Sequence, residues 1–254
     1  MIEHTKAFVD GAWVTASSGE EFAVINPASG VCIARVADLS AGDALRAVDA
    51  AHRAQPGWAK LSARDRAGIL RCWHQLIVQD QDALAALITL EMGKPLAESR
   101  GEVAYGASFV EWFAEEAKRV YGQTIPSHQP SQRIVVTKQP VGVVVAITPW
   151  NFPLAMITRK VSPALAAGCT VVVKPSEDTP LTALKLAQLA LDAGFPPGVL
   201  NIVTGVDAPG IGHALIADTR VRKVTFTGST AVGKILYELS AATVKKLSLE
   251  LGGN

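Results

Sequence analysis

Cysteine is scarce in this chain. Its 254 residues hold three, Cys32, Cys72 and Cys169, at wide and unpatterned spacing. An odd, scattered set argues against a disulfide framework and fits a reducing compartment such as the cytoplasm. Five histidines, His4, His52, His74, His128 and His213, are equally dispersed. No His or Cys recurs at metal-ligand spacing, so no metal centre is expected. An excess of one charge is missing too: 24 Lys and Arg stand against 23 Asp and Glu, a net charge of +1. Without a basic stripe, neither nucleic acid nor an acidic membrane is implied as a partner. No apolar run is long enough to span a bilayer. The opening stretch MIEHTKAFVDGAW mixes charges with aromatics and lacks the apolar centre of a signal peptide.

What is present is core material. Apolar residues make up 49% of the chain and charged residues 19%, the opposite of a disordered composition. The length suits one large or two ordinary domains. Residues 1–139 read as a helical layer. Ser62 can cap a helix over ARDRAGILRCWHQLIVQ, with Ile69, Leu70, Trp73, Leu76 and Ile77 on one face. Asp80 restarts a second helix, for which Gly93 suits a left-handed end. A third runs through PLAESRGEVAYGASFVEWFAEEAKRV, with Val103, Ala107, Val110 and Phe113 or Ala114 inward. Its aromatics read as core packing rather than a cofactor box. QRIVVTKQP reads as a short strand on its own, an arm between two parts.

From about residue 140 the rhythm changes. VGVVVAIT, TVVVKP, VLNIVTG, VRKVTFTG and KKLSLELGG are short apolar strands separated by helices around 155–167, 181–193, to 217 and to 242. That alternation predicts an α/β fold over 140–254, a doubly wound parallel Rossmann-like sheet preceded by the helical segment. Ligands of such sheets sit at the carboxyl ends of the strands.

Four stretches fall there. In TPWNFP, two prolines restrict the backbone on either side of Asn151. Its amide can donate to a developing oxyanion without losing a proton, or it can cap the next helix. In KPSE, Lys174 and Glu177 stand where a ribose or phosphate would lie; an exposed salt-bridged turn is the alternative. FTGSTAVGK opens a helix with small and hydroxyl residues from Gly228 to Gly233, an anion site for a pyrophosphate or merely a tight strand–helix turn. In LELGG, Glu250 ends an apolar strand. Flanked by leucines it is expected to be partly desolvated, with a raised pKa suited to general-base work; otherwise it simply reaches solvent.

Together, in this order and spacing, TPWNFP, KPSE, FTGSTAVGK and LELGG resemble the aldehyde dehydrogenase superfamily over essentially the whole chain. FVEWFAEEAKRVYGQTIPS and FPLAMITRKVSPALAAGCTVVVKPSEDTP resemble its succinate-semialdehyde dehydrogenase branch. The resemblance implies an NAD-dependent oxidation of an aldehyde, with NADP also possible, in an enzyme that is generally a dimer or tetramer. By it Asn151 is the oxyanion amide and Glu250 the general base. The cofactor contacts are Thr148, Pro149 and Trp150; Lys174, Pro175, Ser176 and Glu177; Gly228, Ser229, Thr230, Val232 and Gly233; and Leu251. Arg159 matches the arginine that holds a substrate's distal carboxylate. The family's nucleophilic cysteine lies beyond residue 254, in a second domain, so this chain corresponds to the cofactor-binding part. Cys169 matches a structural position that burial should keep unreactive, and Cys32 and Cys72 lie away from every motif. A non-catalytic nucleotide-binding or interaction protein built on that half is the alternative.

Overall fold

The computed structural model describes residues 2–253. Before any helix the chain forms four short strands, β1 (Ala7–Val9), β2 (Ala12–Val14), β3 (Glu21–Ile25) and β4 (Cys32–Ala37). Asp10 and Gly11 connect the first two with φ of 55° and 76°, the left-handed pair that a two-residue hairpin requires. The N-terminal part is therefore not wholly helical, as the sequence reading has it. Its first hairpin joins the main sheet.

α1 (Ala41–Lys60) follows. The Asp43 N–H donates to Ser40 Oγ at 3.2 Å, and Asp43 accepts from the Ser40 N–H at 3.0 Å, a reciprocal box that fixes the helix start. Ala44, Ala47, Val48 and Ala51 form its buried face, low enough for the helix to lie close on the sheet. α2 (Ala63–Gln79), α3 (Gln81–Met92) and α4 (Leu96–Glu116) match the expected helices. Ser62 caps α2 through the Asp65 N–H at 3.1 Å, and Gly93 ends α3 at φ 90°. Leu70, Trp73, Ile77, Val103, Ala107, Val110 and Ala114 are buried. Trp112 is 65% exposed, so one of the aromatics assigned to the core faces outward.

The QRIVV segment is not alone. β6 (Arg133–Val136) pairs antiparallel with β5 (Gln123–Pro126), Thr124 opposite Val135. A lone strand leaves its backbone groups unpaired, and the hairpin satisfies one edge of each. Both strands are exposed throughout.

The rest alternates strand and helix: β7 (Val143–Ile147), α5 (Ala155–Ala166), β8 (Thr170–Lys174), α6 (Pro180–Asp192), β9 (Leu200–Ile202), α7 (Ala208–Ala217), β10 (Val221–Thr227), α8 (Thr230–Ala241) and β11 (Lys246–Glu250). The seven-stranded sheet has the order β11-β10-β7-β8-β9-β1-β2. β7 to β11 pair in parallel, while β1 runs antiparallel to β9 and β2. Strand order reverses between β7 and β10, which makes their carboxyl ends the topological switch point. Val144, Ala146, Val171 and Val173 belong to the core under α2 to α6, whereas Val143, Val145 and Val172 belong to the core under α1 and α7. Both faces are covered, and the strands accordingly read as unbroken valine runs rather than alternating ones. Among the described residues, no helix is long and apolar enough to cross a membrane.

Candidate functional site

The four expected loops follow β7, β8, β10 and β11 in turn, so all four lie at the carboxyl edge of one sheet. Thr148, just after β7, and Thr227, the last residue of β10, flank the switch point. Their Oγ1 atoms are buried without a hydrogen-bond partner among the described residues. An unsatisfied buried hydroxyl costs about 1–3 kcal/mol, so both mark polar groups left open beside the switch point.

The first loop is anchored at its start by the Thr148 N–H donating to the Lys174 carbonyl at 3.2 Å. Asn151 is exposed, and its side chain forms no hydrogen bond with the described residues. It does not cap α5. Glu102 does: its Oε1 accepts from the Leu154 N–H at 2.8 Å and the Ala155 N–H at 3.2 Å. Glu102 Oε2 takes Lys94 Nζ at 2.5 Å, and Lys94 also donates to the Asn151 carbonyl at 2.9 Å. The Lys94 ammonium lies 3.8 Å from the centroid of the Phe152 ring, within cation–π range. Glu91 treats α6 in the same way, accepting from the Leu181 and Thr182 N–H groups at 2.8 Å each. Burial pushes the Glu91 carboxyl up to about 7, against its hydrogen bonds. The sequence reading missed Glu91, Lys94 and Glu102. No local signal marks them, because their partners lie far along the chain.

In the second loop Lys174 is buried, donating to the Pro175 carbonyl at 2.8 Å and to Glu177 Oε2 at 3.2 Å. Burial lowers the Lys174 pKa, and the Glu177 charge opposes that shift. The salt-bridged turn thus exists, but its lysine is internal and its Glu177 and Ser176 are only half-buried. In the third, the Gly228 N–H donates to the Glu250 carbonyl at 3.1 Å. Ser229 caps α8, its Oγ accepting from the Val232 N–H at 3.3 Å. A Cβ at Gly233 would collide with the Leu251 side chain, so the start of α8 sits tightly against the end of β11. Ser229, Thr230 and Val232 remain exposed beside it, at the positive end of a 12-residue helix.

Glu250 departs from expectation. Its side chain is 56% exposed and pairs with Arg159 Nη2 at 3.3 Å, so the leucines beside it do not desolvate it. β11 is an edge strand, and Lys246, Ser248 and Glu250 share its uncovered face. Arg159 has a second contact as well: its guanidinium lies 5.9 Å from the Phe109 ring centroid. Between α5 and β10–β11 runs a groove of about 440 Å³ lined by Arg159, Lys160, Cys169, Lys223, Thr225 and Glu250, among others. Burial pushes Lys160 down to about 8, with the Glu250 charge acting against the shift. Cys169 is 3% exposed and precedes β8, at the amino edge of the sheet. A strand rises ~3.3 Å per residue, so the five-residue strands separate this thiol from the carboxyl-edge loops.

Three lines of comparison bear on this arrangement. Residues 13–254 match the aldehyde dehydrogenase family. The chain is 57% identical over 249 residues to a glutarate-semialdehyde dehydrogenase of Pseudomonas aeruginosa, covering 98% of this chain and 51% of that protein. It is 55% identical over 249 residues to the Escherichia coli NADP(+) succinate-semialdehyde dehydrogenase, covering 98% and 52%. A crystal structure of an E. coli NADP-dependent enzyme superposes with a TM-score of 0.98 at 54% identity, over 100% of this chain and 52% of that one. The chain therefore spans about half the length of the relatives it matches. A fold with four loops at the carboxyl edge of a doubly wound sheet, matched at this identity almost from end to end, places the chain in the aldehyde dehydrogenase family.

Proposed function

We propose that this chain forms the cofactor-binding half of a nicotinamide-dinucleotide-dependent dehydrogenase that oxidises succinate semialdehyde, or a close semialdehyde acid, to the dicarboxylic acid. One observation carries the reading: the four loops gather at the carboxyl edge of one sheet, around a switch point beside which Thr148 and Thr227 have buried hydroxyls with no partner among the described residues. Relatives named or solved with NADP(+) and with NAD+ are among the matches.

The residues present fit such a cofactor. Thr148, Pro149 and Trp150 would line the nicotinamide side of the crevice. The start of α8, from Gly228 to Gly233, exposes Ser229, Thr230 and Val232 and would receive the pyrophosphate, where helix N–H groups favour an anion. Leu251 packs behind that turn against Gly233. Lys174, Pro175, Ser176 and Glu177 would meet the adenine ribose, with the carboxylate of Glu177 accepting from its hydroxyls. A 2′-phosphate there would face like charge, so NAD is the preferred form despite the NADP(+) relative. When bound, the nicotinamide supplies the hydride acceptor.

The chain's own residues divide the remaining work. Asn151 presents an amide, unengaged by the described residues, to the oxygen on which negative charge develops. Glu250 takes a proton from the water that releases the acid, and its pairing with Arg159 keeps the carboxylate at the groove. Arg159 would exchange that partner for the distal carboxylate of the substrate.

The exchange is testable in the protein extended to the family's length. Arg159→Ala is expected to lower kcat/KM for succinate semialdehyde roughly ten- to a hundredfold, since a hydrogen bond to a charged group contributes about 1.5–3 kcal/mol. An uncharged aldehyde of similar length should lose far less. Equal, small losses for both substrates would remove Arg159 from substrate recognition.

A further inference from the structure

Asn151 can stabilise an oxyanion only if its amide stays where the charge forms, yet none of the described residues holds that side chain. What holds it is backbone. Pro149 and Pro153 restrict the chain on either side, and the Phe152 carbonyl accepts from the Met156 N–H at 3.0 Å. Among the described residues, the one side chain bonded to Asn151 itself is Lys94, through the carbonyl at 2.9 Å. Lys94 comes from the turn after α3, 57 residues upstream, and is buried together with Glu102 of α4, their side chains 7% and 0% exposed.

We propose that Lys94 and Glu102 form a buried clamp that positions the Asn151 amide for catalysis, an inference that rests on the oxyanion role assigned to Asn151 above. The clamp grips both ends of a five-residue stretch. Lys94 fixes residue 151 by its carbonyl and covers the ring of Phe152. Glu102 fixes residues 154 and 155 by their N–H groups. The short bond between Lys94 and Glu102 joins the two grips, so the loop cannot shift along α5 without breaking a buried ion pair. Such a pair is costly to leave half-made in the interior. Burial keeps water from competing for either side chain, so the geometry is fixed before a substrate arrives. That is the condition under which an amide donor is most effective. Neither residue reaches the reacting atoms; both are positioning residues that act through Asn151.

The test is a double-mutant cycle in the protein extended to the family's length. Lys94→Met, Asn151→Ala and the double variant are compared by kcat, KM for the aldehyde, cofactor dissociation constant and melting temperature. Lys94→Met is expected to lower kcat roughly 10- to 100-fold, because a misplacement of about 1 Å is enough for such a loss. KM and cofactor binding should stay within about twofold. In the Asn151→Ala background the same substitution should change kcat by less than about threefold, the mark of two residues acting as one unit. Should Lys94→Met not fold, Glu102→Gln serves in the same cycle. It keeps an acceptor for the α5 N–H groups and removes the charge that orients Lys94. Full additivity, or an unchanged kcat in a folded single variant, would overturn the clamp. An Asn151→Ala protein with wild-type kcat would instead refute the oxyanion role on which the clamp depends.

Discussion

Asn151→Ala, in the protein extended to the family's length, is expected to lower kcat by about 10²–10³-fold, the usual cost of deleting one oxyanion donor. The expectation follows from where the side chain is not engaged. It neither caps α5, a task taken by Glu102, nor bonds elsewhere among the described residues. An exposed amide on a loop that prolines stiffen and Lys94 tethers has no structural work that the substitution would remove. Stability should therefore change little, within about 0.5 kcal/mol as for most surface substitutions, and KM for the aldehyde should move less than kcat. Stopped-flow and steady-state measurement of reduced nicotinamide would check both. A loss confined to KM would mean that Asn151 contributes ground-state binding rather than charge stabilisation.

Glu102→Ala is expected to act on folding. Deleting this carboxylate strands the buried ammonium of Lys94 and leaves the Leu154 and Ala155 N–H groups without their acceptor. Breaking a buried ion pair by removing one partner costs about 3–5 kcal/mol. For a chain of this size each kcal/mol moves the melting temperature by about 2–4 °C, so a drop on the order of 10 °C should be seen by circular dichroism. Removing the lysine as well should recover part of it, because the unpaired charge goes too. A Glu102→Ala protein that melts within about 1–2 °C of the wild type would show that water reaches Lys94 and that the pair is not a closed internal contact.

Much of the sheet was legible because its signals are local. The valine runs of β7 and β8 and the helices between strands announce a sheet buried on both faces. α2 and α3 announce themselves by the Ser62 cap and the Gly93 stop. α1 was not read, since its buried face is made of alanines and gives little apolar contrast, although Ser40-x-x-Asp43 is a capping signature. β1 and β2 are three residues each and vanish in any window, yet Asp10-Gly11 between them is a hairpin signal.

The site divides along the same line. Loop residues at strand ends could be found by sequence, because a doubly wound sheet fixes where such ends gather. Glu91 and Glu102 could not. Each reaches a helix N-terminus more than 50 residues away, and nothing local distinguishes them from surface glutamates. For Glu250 the sequence left desolvation and solvent exposure both open, for a related reason: its leucine neighbours point to the other face of an edge strand, and exposure is a property of the sheet rather than of the flanking residues.

The carboxyl-edge loops are proposed to hold a nicotinamide dinucleotide with its adenine ribose against Glu177. Calorimetric titration of NAD and of NADP into wild-type and Glu177→Ser protein tests it most directly. One saturable site is expected, with NAD bound more tightly than NADP and a gap that narrows in Glu177→Ser as the like charge is removed. No saturable binding of either dinucleotide would contradict it, as would NADP binding at least as tightly as NAD and indifferently to Glu177→Ser.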